Sequence, residues 1–201
     1  IPMRDNGSVD IFEVIKSAVH TFDLKTIALG SSRSYKSSNH LQVDSKCNTN
    51  VPRESVYDAE MYRILHNWLA KVHGFEITGQ WHLEGMCDDG DYHHFYSDLT
   101  ITKKDDSNPL AVLELIVTGS LSTLEKQNFK YIDKLRPLEV WIVHFSREDS
   151  VVSSPYWLCK EKRLNVVHFW HNKEFTNIKM SARFQNAIGE FCEVINEQIV
   201  L

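Results

Sequence analysis

The chain has 201 residues, of which 42% are hydrophobic and 24% charged, and its formal net charge is -5. A chain of this length buries roughly 70% of its unfolded surface, so it can build a sizeable core. The sequence has no apolar run of about 18 residues, which excludes a membrane-spanning helix, and its negative charge argues against nonspecific nucleic-acid binding. We expect one domain over residues 1–201, with its core at about 52–172 and with terminal helices as additions.

The cysteines lie too far apart for a zinc-binding motif, since no two of them are separated by only two to four residues. Free thiols in a reducing compartment are the preferred interpretation, which predicts an intracellular protein of the cytoplasm or nucleus. The four residues are Cys47, Cys87, Cys159 and Cys192.

The first half of the chain predicts two helices separated by a polar loop. Apolar residues at helical spacing predict a helix over 9–22, and the Ser-rich stretch 31–40 predicts a loop that extends to about Pro52. The strongest helical pattern covers 52–74, where Gly74 is a typical helix end.

The second half predicts mostly strands. Residues 87–91 (CDDGD) predict a turn, because they lack the ligand spacing of a calcium loop. Strands are predicted over 75–85, 93–102, 109–117, 138–146 and 165–172, and helices over 119–135 and 183–200. This order of elements predicts a mixed sheet with helices on both faces.

Two acids stand inside strand-like sequence, where acids are disfavoured. Asp98 lies in FYSDLTIT and Glu114 in PLAVLELIV. If these strands pair antiparallel through the 103–108 turn, the two carboxylates lie side by side and repel each other. A divalent cation removes that repulsion, and Mg²⁺ favours one or two carboxylates together with water and substrate phosphate. The competing interpretation is two strand-edge acids that face water.

The helix before these strands offers a third acid. Glu60 lies near the apolar side of the 52–74 helix and is expected to join Asp98 and Glu114. Glu54, one and a half turns earlier, is interpreted as a solvated first-turn acid that interacts with the helix dipole.

Charge is unevenly distributed along the chain. Residues 84–106 contain seven acids and two lysines, whereas residues 159–183 contain six bases and two acids. An acidic centre with a basic flank fits a metal site beside a phosphate-contacting surface, although solvated faces explain the same pattern. Arg33 and Lys36 in the Ser-rich loop are further candidates for phosphate contacts.

These elements together resemble the PD-(D/E)xK nuclease-like superfamily, and most closely the nuclease-like domains of Crinkler-type effectors and related fungal proteins. The resemblance covers about residues 52–146, nearly half of the chain. It depends on five segments in this order: VPRESVYDAEMYRIL, SDLTI, AVLELIVTGS, a helix with Gln127 and Tyr131, and LEVWIVHFS.

The resemblance implies an α/β fold with a restriction-endonuclease-like mixed sheet of about five strands flanked by helices. It implies Mg²⁺ or Mn²⁺ as the cofactor, bound by Asp98, Glu114 and the backbone carbonyl of Leu115. The usual lysine position is occupied by Ile116, and the usual histidine one turn before Gln127 is replaced by Leu124. The catalytic residues that it implies are Glu60, Asp98, Glu114, Gln127 and a relocated lysine, either Lys126 or Lys130.

The function that the resemblance implies is metal-dependent hydrolysis of nucleic acid, with DNA preferred, as an effector or toxin-like domain that acts in a host nucleus. The alternative is a catalytically inactive nuclease fold that binds nucleic acid or a protein partner. Ile116 and Leu124 favour this alternative, whereas the three acids favour the enzyme. Under either function, a homodimer or a protein partner is a further expectation.

The histidines are interpreted as structural. His168 and His171 fall on opposite faces of one strand, so they cannot jointly bind one ion. His144 is interpreted as a core histidine near a strand end, and as a minor site candidate because the ends of central strands open onto clefts.

Overall fold

The computed structural model describes residues 1–33, 52–86, 92–117, 135–157 and 164–200. The chain is an α/β protein. The helices are α1 (Ile11–His20), α2 (Leu24–Arg33), α3 (Glu54–Leu65), α4 (Lys71–His73) and α5 (Ser150–Ser153), and a π-helical turn (His66–Ala70) joins α3 to α4. The strands are β1 (Phe75–Met86), β2 (Tyr92–Lys103), β3 (Ala111–Val117), β4 (Glu139–Ser146), β5 (Leu164–His171), β6 (Ile178–Gln185) and β7 (Phe191–Ile199).

The strands form one mixed sheet of seven strands in sequence order, β1 to β7. The pairs β1–β2 and β2–β3 are antiparallel, and the pairs β3–β4 and β4–β5 are parallel. The pairs β5–β6 and β6–β7 are again antiparallel. The described sheet therefore has seven strands, not the predicted five or so.

The predicted helix over 183–200 is wrong, because this segment contains the end of β6 and the whole of β7. A tight turn separates the two strands: the side chain of Asn186 accepts hydrogen bonds from the backbone N–H groups of Ile188 and Glu190, and Gly189 has a φ of 81°. The left-handed conformation at Gly189 ends any helical continuation. Partly buried and exposed residues then mostly alternate along β7, as expected for a strand.

The N-terminal helix and the 52–74 helix are confirmed with narrower bounds. The Asp10 side chain caps α1 by accepting a hydrogen bond from the N–H of Glu13 at 3.2 Å. The predicted 52–74 helix runs from α3 through the π-helical turn into α4 and ends at Gly74, which has a φ of 71°. Helix α2 reaches Arg33, so the predicted loop does not begin at residue 31.

The predicted strands correspond to β1 through β5, and every described residue of β4 except its first is buried. The predicted turn 87–91 lies outside the described residues, and so do the predicted helix 119–135, apart from its last residue, and residues 34–51 of the polar stretch. Cys192 has a free thiol, whereas the other three cysteines also lie outside the described residues.

The two faces of the sheet carry cores of different size. Helices α1 and α3 pack against the larger core, where the rings of Tyr57 and Phe145 stack at 4.2 Å between centroids. The smaller core, on the opposite face, is formed by Ile116, Val140, Ile142, Leu164 and Val166, with Trp157 against it. Each fully buried apolar side chain stabilises the fold by roughly 1.5–3 kcal/mol.

Candidate carboxylate site

The candidate site lies where the pairing of β2 with β3 ends. These strands pair over only three positions, from Ile101 with Ala111 to Leu99 with Leu113. Asp98 and Glu114 are the next residues on each strand, and they are opposite each other if the register is continued. The predicted antiparallel pairing of the two strands is therefore confirmed. Both acids lie one residue beyond the last paired position, and the charge of Asp98 acts on Glu114.

At this opening the Asp98 carboxylate takes the place of a backbone carbonyl as the hydrogen-bond acceptor of β3. Its Oδ2 accepts a hydrogen bond from the backbone N–H of Leu115 at 2.7 Å. Burial raises the pKa of Asp98 to about 7, the Leu115 N–H opposes that rise, and the charges of Glu54 and Asp58 add to it. Asp98 is therefore an acid that titrates near neutral pH.

Glu114 is the more buried of the two acids, with 8% of its surface exposed. Its Oε1 is buried and has no hydrogen-bond partner among the described residues. Burial raises the pKa of Glu114 well above its ordinary range, and the charges of Asp98, Glu54 and Asp58 raise it further. A hydrogen bond from the backbone N–H of Asp98 lowers the pKa in part. An unpaired buried carboxylate is costly, so Glu114 favours its neutral form unless a cation compensates for the charge.

Helix α3 adds two acids that lie four residues apart and therefore on one side of the helix. Glu54 is exposed in the first turn, whereas Asp58 is half-buried and its Oδ1 has no partner among the described residues. Desolvation by the surrounding protein raises the pKa of each, and the Asp58 charge also raises that of Glu54. We call Glu54, Asp58, Asp98 and Glu114 the carboxylate cluster.

The carboxylate cluster leads from solvent to a buried acid. Glu54 at the surface and Asp58 below it act electrostatically on both Asp98 and Glu114. Four acids in one region favour either shared protons or a bound cation, because their mutual repulsion must be relieved. The unpaired oxygens of Asp58 and Glu114 suit a hard cation that takes oxygen ligands.

Few side chains of the carboxylate cluster could bind one cation together. Within the described ranges, no group of three or more His, Cys, Asp or Glu side chains lies close enough to hold a metal ion. Two acids of neighbouring strands, Asp98 and Glu114, remain as candidate ligands. Because Mg²⁺ is usually bound by one or two carboxylates with several waters, such a set is sufficient for Mg²⁺ or Mn²⁺.

Glu60, which we predicted to join the strand acids, is placed elsewhere. Its carboxylate accepts hydrogen bonds from the Arg63 side chain at 2.8 and 3.1 Å and from the backbone N–H of Asp23, before α2, at 3.1 Å. It is not among the charges that perturb Asp98 or Glu114. Its apolar neighbourhood on α3 reflects packing against α2, so Glu54 and Asp58 take the position expected for it.

The sequence could have indicated these two helix acids. Glu54 and Asp58 are spaced i, i+4, which places them on one side of α3, but the same spacing fits two solvated acids near the start of a helix. Only the packing of α3 against the sheet selects this side of the helix over the side that carries Glu60.

The remaining predicted site residues are those of the 119–135 segment and the position of Ile116. Lys126, Gln127 and Lys130 lie outside the described residues. Ile116 is buried in the smaller core, so no amine stands at the usual lysine position.

The basic flank is only partly described. Lys179 contacts Asp149 at 3.2 Å and lies over the Trp170 ring, whereas Arg183 contacts Glu193 at 3.5 Å. Both cations are therefore already paired on the surface, and residues 158–163 lie outside the described residues.

The histidines of β5 point to opposite faces, as predicted. His171 faces the larger core, where its Nε2 accepts a hydrogen bond from the Tyr57 hydroxyl at 2.7 Å while its Nδ1 donates to the Asn172 carbonyl. His168 faces the smaller core and is hydrogen-bonded to His144 across β4 and β5.

Comparison of the chain with family models, characterised proteins and solved structures finds no match. Among the described residues, none of the helices has the length and apolar character needed to span a membrane.

Proposed function

We propose that the chain is a metal-dependent phosphodiesterase that cleaves nucleic acid, DNA in preference, with a PD-(D/E)xK-like site on a restriction-endonuclease-like fold. The observation that carries the proposal is the pair of acids at the β2–β3 opening. Glu114 is buried with an unpaired oxygen beside Asp98, an arrangement that needs a compensating cation once it ionises. Perturbed, buried acids of this kind concentrate at functional sites.

The order of the elements supports the proposal. The resemblance implies acids on a helix and on two later strands, and α3, β2 and β3 carry Asp58, Asp98 and Glu114 in that order. Strand β4 then pairs parallel with β3 and forms the buried strand that the resemblance requires. This order of acids, and the parallel pairing of β3 with β4, are what support the proposal.

In the proposed mechanism, Asp98, Glu114 and the Leu115 carbonyl would hold Mg²⁺ or Mn²⁺. When bound, the ion activates a water molecule and stabilises the charge that develops on the scissile phosphate. The Leu115 N–H fixes the Asp98 carboxylate through its 2.7 Å hydrogen bond. Glu54 and Asp58 extend the negative potential to the surface, which attracts the cation into the site.

The test is cleavage of plasmid and single-stranded DNA in Mg²⁺ or Mn²⁺ by the wild type and by Asp98→Asn and Glu114→Gln. Each substitution should lower the rate by more than the roughly 10- to 100-fold loss that is typical of changes outside the ligand shell. The matched control is Glu76→Gln, since Glu76 is an exposed strand acid on β1. Cleavage that survives both site substitutions would rule out this site.

The alternative, an inactive nuclease fold that binds nucleic acid or a protein partner, is favoured by Ile116, which leaves no amine at the usual lysine position. Under this alternative, the wild type binds DNA without cleaving it. Its affinity falls steeply as salt is raised from about 50 to 200 mM, because phosphate contacts release counterions. Binding experiments over this salt range, run beside the cleavage assay, separate the two functions.

A further inference from the structure

His144 stands beside the position that lacks a lysine. It is the register partner of Ile116 across the parallel pair of β3 and β4, as Glu114 is the partner of Ile142. Since paired residues of neighbouring strands share a face, His144 lies on the face that carries Glu114. The two Cα atoms are roughly 8 Å apart, given a rise of about 3.3 Å per residue and a spacing of about 4.8 Å between strands.

The neighbours of His144 fix the position of its proton. The Nε2 of His168 lies 3.2 Å from the carbonyl oxygen of Tyr156, and a carbonyl can only accept, so this nitrogen is the donor. In a neutral His168 the Nδ1 is then an acceptor, and it receives a hydrogen bond from the Nδ1–H of His144 at 2.9 Å. The Nε2 of His144 therefore carries a lone pair.

Both rings are neutral near pH 7. Burial lowers the pKa of His144 to about 3, helped by His168, and lowers that of His168 to about 4. Among the described residues, His144 is hydrogen-bonded to His168 through Nδ1, which leaves the lone pair of the neutral ring on Nε2. An imidazole that is anchored at one nitrogen presents the other in a fixed direction, as it does in metal sites.

We propose that the Nε2 of His144 orients the attacking water in the carboxylate site, in place of the absent lysine. This inference rests on the proposed function. The Nε2 accepts a hydrogen bond from the water, whose oxygen forms the new bond to phosphorus. The bond from phosphorus to the leaving oxygen breaks with its electron pair on that oxygen, and the proton of the water passes through solvent to the leaving oxygen.

The test is His144→Asn, which keeps an amide N–H close to the position of Nδ1 and removes Nε2. The expected result is a fall in kcat of about 100-fold, the lower end for a positioned group of this kind. KM and the stabilisation of the fold by Mg²⁺ are expected to be unchanged, because the substitution leaves the carboxylate cluster intact.

The matched control is His171→Asn, since His171 is an equally buried histidine of β5 whose imidazole faces the larger core. It removes the same atoms and should leave kcat within a few-fold of the wild type in the folded fraction. If His144→Asn does not fold, His144→Leu and His171→Leu replace the pair, because leucine also removes Nε2 and suits a buried position, and the His144 variant alone should lose rate.

Each outcome has a distinct meaning. Equal kcat values for the wild type and His144→Asn, or equal losses in the His144 and His171 variants, would leave His144 a packing residue and overturn this inference alone. A wild type that does not cleave in Mg²⁺ or Mn²⁺ would overturn the proposed function, and this inference with it.

Discussion

Glu60 and Glu114 are buried to a similar extent, with 6% and 8% of their surfaces exposed, but their surroundings are opposite. Glu60 is hydrogen-bonded to the Arg63 guanidinium and to a backbone N–H at Asp23. Glu114 lies among other carboxylates and has an oxygen with no partner in the part of the chain that the structure describes. Burial is therefore compensated at Glu60 and uncompensated at Glu114, and only uncompensated burial is typical of functional acids.

The largest expected effect is the pH dependence of stability that Asp98 causes in metal-free protein. Its pKa rises from an ordinary value of 3.8 to about 7 on folding, so the fold favours the neutral acid. That contribution is fully present below about pH 4 and is lost as the pH rises through 7. At pH 8 in chelator, Asp98→Asn should exceed the wild type in free energy of unfolding by up to about 4 kcal/mol.

The difference between the two proteins is the quantity to measure, because buried histidines act in the opposite direction. Burial lowers the pKa of His144 to about 3 and those of His168 and His171 to about 4, so their contribution is lost as the pH falls below about 6.5. The histidines are the same in both proteins and cancel in the difference. A difference that is constant from pH 4 to 8 in chemical denaturation would contradict the account.

The next largest effect contrasts the two glutamates. Glu60→Gln should destabilise the protein by about 1.5–3 kcal/mol, because it removes hydrogen bonds to a charged acceptor. Glu114→Gln should stabilise the metal-free protein at pH 8, because it removes an acid that the fold must keep neutral. Denaturant unfolding in chelator measures both. Changes of the same sign would remove the distinction between a compensated and an uncompensated acid.

Much of the fold could be predicted from the sequence, since strong periodic patterns and clear stops defined α1, α3 and β1 to β5. The final hairpin could not be, because the apolar residues near Phe191 and Val194 fit a helical as well as a strand period. Only the turn at Asn186 and Gly189 decides between the two.

The site was partly predictable for a related reason. Asp98 and Glu114 are conspicuous because acids are rare in strand interiors. The choice among Glu54, Asp58 and Glu60 depends on which side of α3 meets α2 and which meets the opening between β2 and β3. Sequence spacing defines the sides of a helix but not their neighbours. The same holds for His144, whose link to His168 requires the parallel register of β4 and β5.

The most direct test of the central claim is the free energy of unfolding at pH 8, measured with Mg²⁺ and with chelator. The proteins compared are the wild type, the double variant Asp98→Asn/Glu114→Gln and the control Glu76→Gln. The account predicts that Mg²⁺ stabilises the wild type and the control, by about 2.7 kcal/mol at a concentration of 100 times Kd. It predicts no stabilisation of the double variant. A wild type that does not respond to Mg²⁺, or a double variant that responds equally, would contradict a cation site at the carboxylate cluster.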